Sequence, residues 1–247
     1  MNGPDPQARA RECCRDNLAR VRQRIAAACD RAGRDPAGVT LVVATKSVGP
    51  TAVALLPEAG CHDLAESRPQ ALWAKAAAAA ELRPSVRWHL IGHLQRNKVQ
   101  RTLPHAALIH SLDSLRLLAA IDAEAEAAGK VQEALVEVNL SSDPNRTGAD
   151  EAEAERIVAA AAGLRHVLVR GLMGMASVPD GDPHAARREF ARLREFRDRL
   201  AGSVAGGDRL RDLSMGMSGD FEEAILEGAT LVRLGSVVVA GLSGVDV

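Results

Sequence analysis

The sequence predicts an α/β protein, a single (β/α)8 TIM barrel with an extra N-terminal helix. Three observations predict it. Eight short apolar runs recur, at about 40–45, 63–66, 86–91, 107–111, 133–139, 166–173, 211–217 and 230–234, separated by helical segments. Near-continuous apolar strands alternating with helices make a parallel sheet covered by helices. The 247 residues match the roughly 250 of a closed barrel, and no linker or composition break divides them.

Each element has a local reason. Residues 7–32 place Leu18, Val21, Ile25 and Cys29 at three- and four-residue steps among arginines, an amphipathic helix that Gly33 ends. Residues 1–38 are therefore read as a helix packed on a barrel of residues 39–247, one domain overall. Thr40 to Thr45 is β-branched, apolar and too short for a helix, hence a buried strand, and Lys46 sits at its C-terminal end. Asp63 to Glu66 is the shortest and most polar of the runs. Farther on, Leu115, Leu118, Ala119 and Ile121 form one helical stripe, and Phe190, Leu193, Phe196 and Leu200 another.

Composition excludes several functions. A formal charge of −1 gives no basic field for nucleic acid or anionic lipid. No window approaches the 18 or so apolar residues of a membrane helix, and the start carries charges where a signal peptide is apolar, so a cytoplasmic protein is expected. Cys13, Cys14, Cys29 and Cys61 lack CxxC spacing and are read as packing residues in a reducing compartment. Tyrosine is absent, which removes every mechanism that needs one as acid, base or nucleophile. Lysine is scarce, four against 27 arginines, so a lysine at the end of an apolar strand is conspicuous.

In a parallel barrel, functional groups lie at the C-terminal ends of the strands. Strand one delivers Lys46, where desolvation and neighbouring arginines would lower its pKa and free its amine to attack a carbonyl. Strand seven runs into Met215-Gly216-Met217-Ser218-Gly219-Asp220, with Asp220 as a helix N-cap and Glu223 three residues on. Strand eight ends in Arg233-Leu234-Gly235-Ser236. The loops after strands seven and eight are the usual phosphate site of this architecture, where glycines and hydroxyls lead into helix N-termini. No Walker loop, GxGxxG or GxSxG is present. His89 and His93 lie on a strand and turn without a zincin glutamate, so no metal is expected; His89 reads as a core histidine bonded to backbone. Gln95 to Lys98 reads as a solvated turn.

Taken together, Leu41–Lys46 (LVVATK), Trp88–Val99 (WHLIGHLQRNKV), Ile109–Leu115 (IHSLDSL), Gly171–Met175 (GLMGM), Leu213–Ser218 (LSMGMS) and Gly228–Ser236 (GATLVRLGS) carry a resemblance over nearly the whole chain. They resemble the pyridoxal 5′-phosphate (PLP) homeostasis proteins, single-domain relatives of the alanine racemase N-terminal domain barrel. The resemblance implies that Lys46 holds the cofactor as an internal aldimine. It further implies a phosphate site near Ser218, Arg233, Gly235 and Ser236, with Met215 and Gly216 lining the pocket. The family's phenylalanine-glycine-glutamate-asparagine run is here Leu64-Ala65-Glu66-Ser67. Ser67 offers the cofactor a hydroxyl in place of an amide, and Ala65 restricts backbone that glycine would free.

Three functions compete. The preferred one is a carrier that takes part in intracellular vitamin B6 homeostasis without turning over amino acids, with PLP as ligand and PLP-dependent apoenzymes as further partners. The second is a PLP-dependent amino-acid enzyme; a two-base racemase of the lysine–tyrosine kind is excluded by the missing tyrosine and second domain, leaving one-base chemistry on Lys46. The third is a barrel that has lost the cofactor and acts as an interaction protein.

Overall fold

The computed structural model describes residues 6–80, 86–141, 143, 146–177 and 183–242. Eight strands close a parallel barrel in chain order: β1 Thr40–Ala44, β2 Asp63–Glu66, β3 Arg87–Leu90, β4 Ala106–Leu112, β5 Gln132–Val138, β6 Val167–Gly174, β7 Asp212–Ser214 and β8 Leu231–Leu234. Closure is made by β1 on β8, from Thr40 opposite Leu231 to Val43 opposite Leu234. The short polar run at 63–66 is a strand in full register with β3.

Nine helices accompany the strands among the described residues: α1 Pro6–Ala32, α2 Pro50–Glu58, α3 Pro69–Ala78, α4 Val99–Thr102, α5 Leu115–Ala127, α6 Glu151–Ala161, α7 Pro183–Ser203, α8 Phe221–Leu226 and α9 Ser236–Val239. Their starts are written locally. Proline opens α2 and α3, where its missing N–H costs nothing. Asp150 caps α6 by accepting from the Glu153 N–H at 2.7 Å, and Ser114 caps α5 through the Leu117 N–H at 3.3 Å. Helix α1 buries its Leu18, Val21, Ile25 and Cys29 stripe. It lies along α8 and α9, with the Asn17 amide donating to the Val238 and Ala240 carbonyls and Arg34, just past the helix end, donating to those of Ile225 and Ala229.

Two expectations shift. The seventh strand stops at Ser214 because Gly216 turns to φ 93°, so residues 215–217 form a loop. In α5 the buried face is Leu117, Leu118, Ile121 and Ala125, while Leu115 and Ala119 are exposed; the Ser114 cap sets a helix start that rotates the stripe. The α7 stripe is buried as expected.

Two apolar layers hold the molecule. The larger lies between strands and helices; the smaller, Val42, Ala65, Leu108, Leu135, Met173 and Leu231, fills the barrel. Because strand side chains alternate, residues two away from this inner set also face inward. His110 follows Leu108 in this way, and Arg233 follows Leu231. Three of the four cysteine thiols are buried, and burial pushes them up, Cys61 to about 12, so they pack rather than react. Among the described residues no helix is long and apolar enough to cross a membrane, and no cluster of three metal-ligating side chains forms.

Candidate functional site

Lys46 follows the end of β1 in an exposed turn, so the desolvation foreseen for its amine is not present. The residue before it is firmly held. Thr45 is buried, and its hydroxyl donates to Glu66 Oε1 at 2.6 Å. Lys75, from α3, donates to the same carboxylate oxygen at 2.6 Å and to the Thr45 carbonyl at 2.5 Å. Lys75 is thereby committed to an enclosed ion pair, whereas Lys46 makes none among the described residues. The two amines nearest the end of β1 thus have separate tasks, one structural and one available. Sequence reading missed this anchor, although Glu66 closing a polar strand was its trace.

The loops after β7 and β8 come together as foreseen. Ser236 Oγ donates to Ser218 Oγ at 3.3 Å, joining the two. The Gly216 carbonyl accepts the Arg233 N–H at 3.0 Å. A Cβ on Gly216 would lie 2.7 Å from that of Ala224, so only glycine lets α8 pack there. A Cβ on Gly235 would lie 3.3 Å from the Ala44 carbonyl, so the β8 loop runs against the strand that leads to Lys46. Gly216, Ser218, Gly235 and Ser236 therefore belong to one rim next to Lys46.

Other expected residues fall elsewhere. The Met215 side chain is fully buried in the layer between strands and helices, because its N–H still pairs with the Leu231 carbonyl and keeps the strand's outward facing; the exposed methionine is Met217. Ser67 is exposed just beyond β2, where a Cβ on Gly92 would collide with its carbonyl at 2.2 Å. Ala65 sits in regular strand opposite Ala44 and His89, a conformation that needs no glycine. Asp220 stands at the N-cap of α8, but its carboxylate turns back to accept the Met217 N–H at 2.5 Å, so the capping box with Glu223 does not form. Burial pushes Asp220 up from the usual carboxylate value. With only six and four residues, α8 and α9 add little dipole, which leaves the hydroxyls and glycines as the rim's polar equipment.

Arg233 lies deeper than a loop residue. The residue is 4% exposed, and its guanidinium donates to Ser214 Oγ at 2.7 Å and to the Gly174 carbonyl at 3.1 Å, the last residues of β7 and β6. No carboxylate among the described residues forms an ion pair with it. Burial brings its pKa down to about 10, against a weaker opposing pull from Asp220 and Glu137. A buried cation without a counter-ion is costly, and an anionic or dipolar ligand would relieve it. Burial likewise pushes Glu137 up, although Thr147 donates to it at 2.7 Å.

His89 is a core histidine, but its partners are side chains, not backbone: Asp63 on one side and His110 on the other. His93 is exposed beside Asp113 at 3.2 Å. Residues Arg96–Lys98 form a single 3-10 turn.

A closed parallel barrel with a free lysine just past β1 and paired Gly-Ser loops after β7 and β8 defines a class, and the family model "Alanine racemase, N-terminal domain" matches residues 17–242. The chain belongs to the pyridoxal phosphate homeostasis protein family within that class. A curated relative from Aquifex aeolicus, named pyridoxal phosphate homeostasis protein, is 37% identical over 90% of this chain and 96% of its own. The crystal structure of an unknown protein from Bifidobacterium adolescentis superposes with a TM-score of 0.85 at 38% identity, covering 96% of this chain and 98% of that one. The PipY protein of Synechococcus elongatus, in a structure with PLP bound, gives a TM-score of 0.79 at 31% identity, covering 91% of this chain and 99% of that one.

Proposed function

We propose that this chain binds PLP through Lys46 and serves intracellular PLP homeostasis, holding and handing on the cofactor rather than turning over amino acids. The observation that carries the reading is the rim itself: an unpaired Lys46 beside loops joined through Ser218 and Ser236, above a buried Arg233 that lacks a counter-ion. These residues fit a phosphate-bearing aldehyde. When bound, PLP supplies an aldehyde that condenses with a primary amine, releasing water. Lys46 provides that amine. Ser218, Gly235 and Ser236 receive the phosphate through hydroxyls and close backbone approach, Gly216 shapes the rim, and Ser67 offers a hydroxyl from the β2 side. Met215 serves only by supporting the loop from behind. Glu66 and Lys75 keep the end of β1 in place. PLP-dependent apoenzymes are the recipients this role requires.

The PipY structure with PLP bound and the names of the curated relatives support the ligand class. The absence of tyrosine favours holding over racemisation. The test is a visible spectrum of the purified protein with PLP, followed by borohydride reduction and peptide mapping. A visible band with label on Lys46, both lost in Lys46→Ala, is expected. No band, or label spread over Lys75, Lys98 and Lys130, would overturn the reading; rapid deuterium exchange at an amino-acid α-carbon would turn it into an enzyme.

A further inference from the structure

The barrel encloses a string of polar side chains that the proposed PLP contacts leave unused. Asp63 Oδ1 lies 2.9 Å from His89 Nε2, His89 Nδ1 lies 2.9 Å from His110 Nε2, and His110 Nδ1 lies 2.9 Å from Ser214 Oγ. Arg233 donates to that same serine oxygen at 2.7 Å. His89, His110 and Ser214 are wholly enclosed. Asp63, at the start of β2, reaches the cleft on the opposite face of the barrel from the Lys46 rim.

Charge sets the direction of every bond. A carboxylate can only accept, so His89 carries its hydrogen on Nε2 and accepts on Nδ1. His110 must then donate from Nε2 and accept on Nδ1 from the Ser214 hydroxyl, whose oxygen accepts from Arg233. All four bonds point from guanidinium to carboxylate. Burial keeps both imidazoles below the usual histidine value, His110 well below, with His89, Arg233 and Arg170 adding to it. Burial also resists ionisation of Asp63, but the hydrogen bond from His89 outweighs it, helped by the charge of Arg87. A proton added at His89 Nδ1 would set two N–H groups against each other across 2.9 Å. His110 would have to change tautomer, and Ser214 would have to swing its hydrogen away beside Arg233.

We propose that Asp63, His89, His110 and Ser214 are positioning residues for Arg233, and that PLP retention depends through them on protonation inside the barrel. The proposal rests on the PLP reading above. The charged groups around the string enter the same balance. Arg87 lies 3.5 Å from Asp63, Arg170 on β6 is engaged by Glu133 and Asp212, and Glu137 and Asp220 act on Arg233. One proton taken up in the string thus alters the partner that fixes the guanidinium.

The test is PLP affinity, read from the visible band, from about pH 8 down through the ordinary histidine value to about pH 4.5, because both imidazoles are held below that value. Ser214→Ala should weaken binding about tenfold, and Ser214→Thr should restore it. Asp63→Asn touches none of the proposed PLP residues and removes the charge that favours a protonated His89, so the acid-side loss of affinity should move to lower pH. A purely structural role would leave that profile in place. The proposal is overturned if both Ser214→Ala and Asp63→Asn keep the wild-type affinity and profile within about twofold. If Ser214→Ala does not fold, the Asp63→Asn profile decides alone. A wild-type protein that forms no band defeats the PLP reading instead, and the positioning proposal with it.

Discussion

Arg233 bears its charge where protein usually places an apolar side chain, and it does so without a carboxylate partner. Breaking a buried ion pair strands a charge; removing an unpaired one strands no charge, although Ser214 Oγ and the Gly174 carbonyl lose their donor. Arg233→Gln should therefore lower PLP affinity tenfold or more, at a stability cost no larger than the roughly 1.5–3 kcal/mol of a charge-assisted hydrogen bond. Arg146, exposed in the loop after β5, is the control, and Arg146→Gln should bind as wild type. Affinity from the visible band and a urea midpoint check both, and equal retention in the two variants would remove Arg233 from the site. Residues of the rim were legible because glycine, serine and lysine after apolar runs are conspicuous in this composition. Glu66, Lys75, His110 and Ser214 were not, because each is a single polar residue whose partner lies far along the chain, and no local pattern joins His110 to Ser214. Met215 was misread for a related reason, since its facing depends on a backbone bond to Leu231 that sequence does not display.

At the scale of elements, glycines end or bend segments with unequal consequences. Gly33 closes α1 at φ 64° with open space around it, whereas Gly216 combines φ 93° with Phe221 Cα 2.8 Å from where a Cβ would stand. Alanine at 33 should cost about 1 kcal/mol from backbone conformation alone. Alanine at 216 should cost about 1–3 kcal/mol for strain and more for the collision with α8, and should loosen the rim as well. Urea midpoints rank the two, and PLP affinity should fall only for Gly216→Ala. A reversed ranking would mean that α8 yields easily. The strands themselves were readable, even Asp63–Glu66, because apolar runs flanked by turn residues survive short length. Their ends and faces were less so. Gly216 shortened β7, the Ser114 cap rotated α5, and inward polar positions in four-residue strands such as β3 give too few repeats for a period to emerge.

For the whole molecule, enclosing two neutral histidines makes the fold itself sensitive to acid. Burial, before any neighbouring charge, holds His89 and His110 below the ordinary histidine value. The unfolded chain binds protons at both from about pH 6.5 downward while the folded chain takes them up only at lower pH. Stability is unaffected by them above that pH and falls below it, by at most about 1.4 kcal/mol per pH unit for each histidine. Asp63 has a lowered value, so its contribution is present above the carboxylate range and lost only below about pH 4. Glu137 and Asp220, raised by burial, act the other way: each weakens the fold near neutrality, and the penalty is relieved as acid protonates it. Urea midpoints taken between about pH 7 and 5.5, just around the ordinary histidine value, should therefore decline in wild type. The decline should be shallower in His110→Gln, which keeps a donor and an acceptor but cannot titrate. Parallel slopes in wild type and His110→Gln would mean that His110 holds the same proton in the folded and the unfolded chain over this range, so that its enclosure carries no acid penalty.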